Sequence, residues 1–154
     1  MKIRPSLLML GLCLVAVMCF AANDAVMGTW KLNEAKSKLA AGGAKNNTVT
    51  YEAAGDSIKV TIEGTAADGS AVHSEWTGKF DGKDYPSTGN PNEDMRSYKQ
   101  IDDHTFHVTS KKGAKVVLTA HIVVSADGKS RTVTVNGTDA KGKKYKSVAV
   151  FDKQ

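Results

Sequence analysis

Ser57-Ile58-Lys59-Val60-Thr61-Ile62-Glu63-Gly64-Thr65 is the stretch that decides the fold. Ile58, Val60 and Ile62 point one way; Lys59, Thr61 and Glu63 point the other. A period of two marks a β-strand with one face in a core and one in water. Ala67-Asp68-Gly69 follows, and Asp-Gly favours a tight hairpin turn because glycine accepts positive φ without steric cost. The chain then resumes the alternation in reverse, Val72 and Trp76 against His73, Glu75 and Thr77.

Outward from this hairpin the same unit recurs. Turn signals stand at Gly55-Asp56, Asp81-Gly82, Asp102-Asp103, Lys112-Gly113, Asp127-Gly128 and Lys141-Gly142. Between them Phe106 and Val108 oppose His107 and Thr109, and Val133 and Val135 oppose Thr132 and Thr134. Val116, Leu118, Ile122 and Val124 are expected to share one face. Evenly spaced short strands predict an all-β sandwich or barrel. The expectation is an up-and-down antiparallel β-barrel of about eight to ten strands, in which closure removes aggregation-prone edges. The one helical candidate is short: Glu34 to Ala41, with Asn33 as cap and Gly42 as stop. Lys83 to Asp94 breaks the beat and holds Pro86 and Pro91, so it reads as a loop or an edge.

The first residues read differently. Lys2 and Arg4 precede an uncharged apolar run from Leu7 to Phe20, then Ala21 and Ala22, then Asn23 and Asp24. That order is the layout of a secretory signal, and the run is short of the about 20 residues a membrane span needs. The expected organisation is a signal peptide over 1–21 and one barrel domain over 22–154. The product is expected to be exported, periplasmic or extracellular, with no membrane span after cleavage. Lipidation at Cys19 is the rival processing, and Met18 stands where a small residue is wanted. Cleavage removes both cysteines, Cys13 and Cys19, and with them any thiol chemistry. It also removes two of the 21 basic residues against 16 acidic ones, taking the net charge from +5 to +3.

Gly28-Thr29-Trp30 begins the first strand, and a Gly-x-Trp there resembles the lipocalin and calycin superfamily. Gly28-Thr29-Trp30-Lys31-Leu32 resembles the opening of intracellular fatty-acid-binding proteins, and Val150-Phe151-Asp152-Lys153 resembles their closing strand. The opening, with the loop Asp81 to Pro86, also resembles small exported bacterial lipocalin-like proteins of unassigned function. The resemblance implies a lipocalin-like barrel whose base is plugged by Trp30. It also shows departures. Where fatty-acid-binding proteins carry an Arg-x-Tyr carboxylate clasp, this chain has Ala149 and Phe151. Leu32 stands where haem-binding barrels carry the last glycine of Gly-x-Trp-x-Gly, and two tryptophans are too few for an avidin-like site.

No nucleophile motif or phosphate loop is present, so no catalytic residue is assigned and none of the chemistry points to an enzyme. His73, His104, His107 and His121 lack repeated ligand spacing and are expected on the surface, so neither a metal nor a cofactor is assigned. The lysines at Lys111-Lys112 and at Lys141, Lys143, Lys144 and Lys146 read as solvated turns. Only Tyr145 interleaves an aromatic with that charge, which argues against nucleic acid. A barrel of this size either fills with side chains or leaves room for one small ligand. The leading expectation is a carrier of a small, mostly apolar ligand. Its wall would be Tyr51, Ile62, Trp76, Phe106, Leu118 and Ile122, with Tyr85 on a loop at the mouth and Ser74, Gly78 and Ala120 leaving space. The alternative is a filled barrel acting through its surface loops.

Overall fold

The computed structural model describes residues 25–139 and 141–154. The expected signal peptide lies outside the described residues. Ten strands form one closed antiparallel barrel. They are β1 (Gly28–Leu32), β2 (Lys45–Ala54), β3 (Ser57–Thr65), β4 (Ala71–Gly78), β5 (Tyr85–Thr88), β6 (Met95–Gln100), β7 (Thr105–Lys112), β8 (Lys115–Val124), β9 (Ser130–Thr138) and β10 (Lys144–Lys153). Neighbours in sequence are neighbours in space, and β1 pairs with β10 to close the ring through Trp30↔Lys153, Lys31↔Asp152 and Leu32↔Phe151. This is an all-β up-and-down barrel, as the alternation predicts. The helical candidate reduces to one 3₁₀ turn, Glu34–Lys36, with the Asn33 side chain accepting from the Lys36 N–H.

Local chemistry sets the hairpins. At the β3–β4 turn Gly69 has φ +85°, and Asp68 Oδ1 accepts from both the N–H and the hydroxyl of Ser70. Gly89 is needed for space as well as for its φ of +83°: a Cβ there would lie 2.0 Å from the carbonyl oxygen of His73. Two sequence expectations are corrected. Within Lys83–Asp94 the chain forms strand β5, paired on both sides, rather than a loop or an edge, with Tyr85↔Arg96 and Pro86↔Met95 in register. Pro86 is tolerated because β5 is only four residues long and joins each neighbour by two pairs. Val116 does not continue the inner face of β8. The register slips between Ser110 and Lys111, Val117 is left without a partner, and Val116 is 46% exposed.

The barrel has two unlike ends. At the base, where β1, β3, β5, β7 and β9 begin, the inward residues Trp30, Tyr51, Val60, Trp76, Tyr98, Phe106, Ile122 and Phe151 are all buried. Val26 covers the base, 1% exposed, and its carbonyl accepts from Trp30 Nε1 at 2.7 Å. Toward the other end the same inward rows lose cover. Along β9 the sequence runs from buried Arg131 through half-buried Val133, Val135 and Gly137. Along β10 it runs from buried Phe151 and Ala149 to half-buried Ser147 and Tyr145.

Candidate functional site

The lower half of the interior is a filled aromatic core. The Trp76 ring lies 4.6 Å from Tyr98 and 6.2 Å from Phe80, and Tyr51 meets Phe80 and Tyr98 edge-on. Such pairs contribute about 0.5–1.5 kcal/mol each beyond their burial. Tyr51, Ile62, Trp76, Phe106 and Ile122 are all buried here, brought together by five different strands. Leu118 packs against this cluster but is only half-buried, near the open end of β8. Tyr85 is not on a loop at the mouth: it starts β5 at the base, packs edge-on to Trp76 at 5.8 Å, and donates to Asp81. Its ring also takes the space expected from Gly78, where a Cβ would meet Tyr85 and Trp76 ring atoms at 2.6–2.7 Å. Ser74 and Ala120, the other small residues, are buried.

Above this core stands Arg131, which sequence reasoning did not single out. It is 2% exposed. Its guanidinium carbon lies 5.0 Å from the Trp30 ring centre, 5.1 Å from Tyr51 and 4.7 Å from Phe151, and Nη1 donates to Tyr51 Oη at 2.8 Å. No carboxylate lies within ion-pair distance of it among the described residues, and its Nε is buried without a hydrogen-bond partner. Three ring faces recover part of the cost of burying a cation, about 0.5–2 kcal/mol apiece. They supply no hydrogen-bond acceptor for Nε, and an unmet buried donor costs about 1–3 kcal/mol. Arg131 and Phe151 are direct cross-strand partners, so this guanidinium reaches the region of the last strand from which the Arg-x-Tyr clasp is missing. The neighbouring Tyr98 hydroxyl is pushed up, first by burial and then by Tyr51, so it stays neutral.

A second buried charge is handled in the opposite way. Arg96 on β6 and Glu93 on the β5–β6 connection form an ion pair, Nη2 to Oε1 at 2.5 Å, with side chains 9% and 4% exposed. Ser87 donates to the same carboxylate at 2.6 Å, Arg96 Nε donates to Ser110 at 3.3 Å, and Trp76 Nε1 donates to the Arg96 carbonyl at 2.8 Å. Burial works to raise the Glu93 pKa, but the Arg96 charge and the serine hydroxyls outweigh it and hold the carboxyl below its ordinary value. This satisfied network joins β5 and β6 beside Trp76 and Tyr85. At the mouth end of β8, β9 and β10 lies a shallow surface cleft of about 520 Å³, lined by Val116, Leu118, Gly137 and Tyr145 together with Thr119, Asn136, Lys144 and Lys146, with the Tyr145 ring lying over Gly137.

His107 and His121 are direct cross-strand partners on β7 and β8, both exposed. His73 contacts Glu63 and Glu75 on the outer face of β3–β4, and no group of three or more His, Cys, Asp or Glu side chains among the described residues could hold a metal ion.

Fold and site together define a ten-stranded up-and-down barrel with a filled base, an open mouth and one uncompensated internal cation. The chain is similar to a Schistosoma mansoni fatty acid binding protein in complex with arachidonic acid, at 18% identity and a TM-score of 0.56, over 86% of this chain and 98% of that one. It is also similar to EF1p2_mFAP2b bound to DFHBI, at 9% identity and a TM-score of 0.51, over 87% and 98% of the two chains. These likenesses establish the barrel fold, of the kind found in fatty-acid-binding proteins. No family model and no curated protein sequence matches the chain.

Proposed function

We propose that this protein is an exported, non-catalytic carrier of a small, mostly apolar ligand that bears one anionic group. The observation that carries the reading is Arg131: a buried guanidinium with a free Nε and no carboxylate partner, below an inward wall that opens to solvent. An anion seated there supplies the acceptor that the barrel lacks. Leu118, Val133 and Val135 supply the apolar wall above it. Export is supported by the Lys2–Ala21 pattern. Ligand-bound barrels among the structural neighbours agree with this reading.

The alternative, a filled barrel acting through its loops, is favoured by the aromatic base. A matched pair of probes separates the two: 1-anilinonaphthalene-8-sulfonate and its uncharged relative N-phenyl-1-naphthylamine. The carrier binds both in its interior and holds the sulfonate at least tenfold more tightly. Arg131→Gln makes the two affinities equal. Fluorescence of neither probe rising at micromolar protein would leave the filled barrel as the correct reading.

A further inference from the structure

Six lysines crowd the tips of two adjacent hairpins at the barrel mouth. Lys112 and Lys115 flank the β7–β8 turn, and Lys141, Lys143, Lys144 and Lys146 lie on and after the β9–β10 turn. The tips are neighbours because β8 pairs with β9 and β9 with β10, through Leu118↔Gly137 and Thr138↔Lys144. All six side chains are exposed, and none has a carboxylate within ion-pair distance among the described residues. Lys111 differs, since Asp84 neutralises it at 2.5 Å. Two other carboxylates stand nearby and both are spent on backbone. Asp94 accepts from the Gly113 N–H, and Asp139 accepts from the N–H groups of Lys141 and Lys143. Six cations against these two anions leave a surplus of four positive charges around these two hairpin tips. Between the tips, the cleft presents Val116, 46% exposed, with Leu118 and Tyr145 behind it.

We infer that this end is a docking face for an anionic phospholipid surface. The pattern is cations ringing an apolar centre, with one tyrosine whose ring is apolar and whose tip is polar. That combination suits a headgroup layer, where lysines meet phosphates and a small apolar group enters the acyl boundary. Nucleic acid would call for several exposed aromatics, and Tyr145 stands alone. An acidic protein partner would not require an apolar centre placed over the opening of a barrel. The inference extends the carrier reading, because the docking face and the open cleft are the same end of the molecule, so that a membrane-soluble ligand crosses little water on entry. Docking itself needs no ligand.

The test is co-sedimentation of the purified protein with vesicles of pure phosphatidylcholine and of phosphatidylcholine with 30% phosphatidylglycerol, at about 0.05 M and 0.5 M salt. Binding only to the anionic vesicles, lost at high salt, is expected. Each lysine beside such a surface is worth about fivefold in partitioning, so Lys115→Glu/Lys144→Glu lowers it at least tenfold. Lys99→Glu/Lys129→Glu makes the same charge change away from the mouth and is expected to lower it less than threefold. Val116→Ser weakens binding severalfold without altering its salt dependence. Equal loss in both lysine pairs, equal binding to neutral vesicles, or no binding by the wild-type chain overturns the proposal. The naphthylamine titrations run without vesicles, so a failure here leaves the carrier reading standing, and a failure there leaves the docking result standing.

Discussion

Under the proposed function, Arg131 sets ligand binding and stability against each other. A charge buried without a counter-ion is a burden on the folded state, and exchanging it for an apolar side chain of similar length removes that burden. Arg131→Met is therefore expected to raise the stability of the ligand-free barrel by about 1 kcal/mol, read as the midpoint of urea unfolding, while abolishing the preference for the sulfonate probe. A loss of several kcal/mol would instead make Arg131 a clamp holding the Trp30, Tyr51 and Phe151 rings together. Trp30 is its contrast: fully buried, hydrogen-bonded to Val26 and covered by both Arg131 and the Lys153 ammonium at 5.3 Å. Trp30→Ala is expected to cost about 3–5 kcal/mol, checked by the same unfolding series.

At the scale of elements, the β4–β5–β6 seam is the thinnest part of the barrel wall, two register pairs on each side of β5. Side chains reinforce it. Gly78→Ala drives a methyl into the Tyr85 and Trp76 rings and is expected to lower stability by about 1–3 kcal/mol. Glu93→Gln leaves Arg96 buried beside a neutral partner and is expected to cost about 3–5 kcal/mol at neutral pH. Because the folded Glu93 carboxyl titrates below its ordinary value near 4.5, its contribution is complete above that value and is lost as pH falls below it. The stability difference between wild type and Glu93→Gln is thus expected to shrink as pH drops below 4.5, with faster amide exchange over 89–94 in the wild type.

Strands of this kind were legible because water on one side and core on the other write a period of two into β3, β4, β7 and β9. Residues 85–88 and 95–100 were not: Pro86 and the surrounding turn residues mask the first, and Arg96 and Ser97 interrupt the apolar row of the second although both are buried. The buried charges escaped for a related reason. Arg131 follows a turn and reads as part of it, and Glu93 reads as a loop acid. A signal was nonetheless present. Arg131 has the parity of Val133 and Val135, and Arg96 that of Tyr98, which places both guanidinium groups inside the barrel.

At the scale of the whole molecule, the barrel is polarised along its axis: an aromatic plug at the base, an internal cation above it, a half-covered apolar wall, and lysines at the rim. Each layer has a separate physical cause, and together they support the proposed reading of a container for an amphiphile, acid group inward. The most direct test is native mass spectrometry of the protein purified gently from its own host. The account predicts a reproducible extra mass, lost on denaturation and absent from Arg131→Met, belonging to an anionic amphiphile. A clean ligand-free mass, unchanged after exposure to a lipid and metabolite extract, would contradict it.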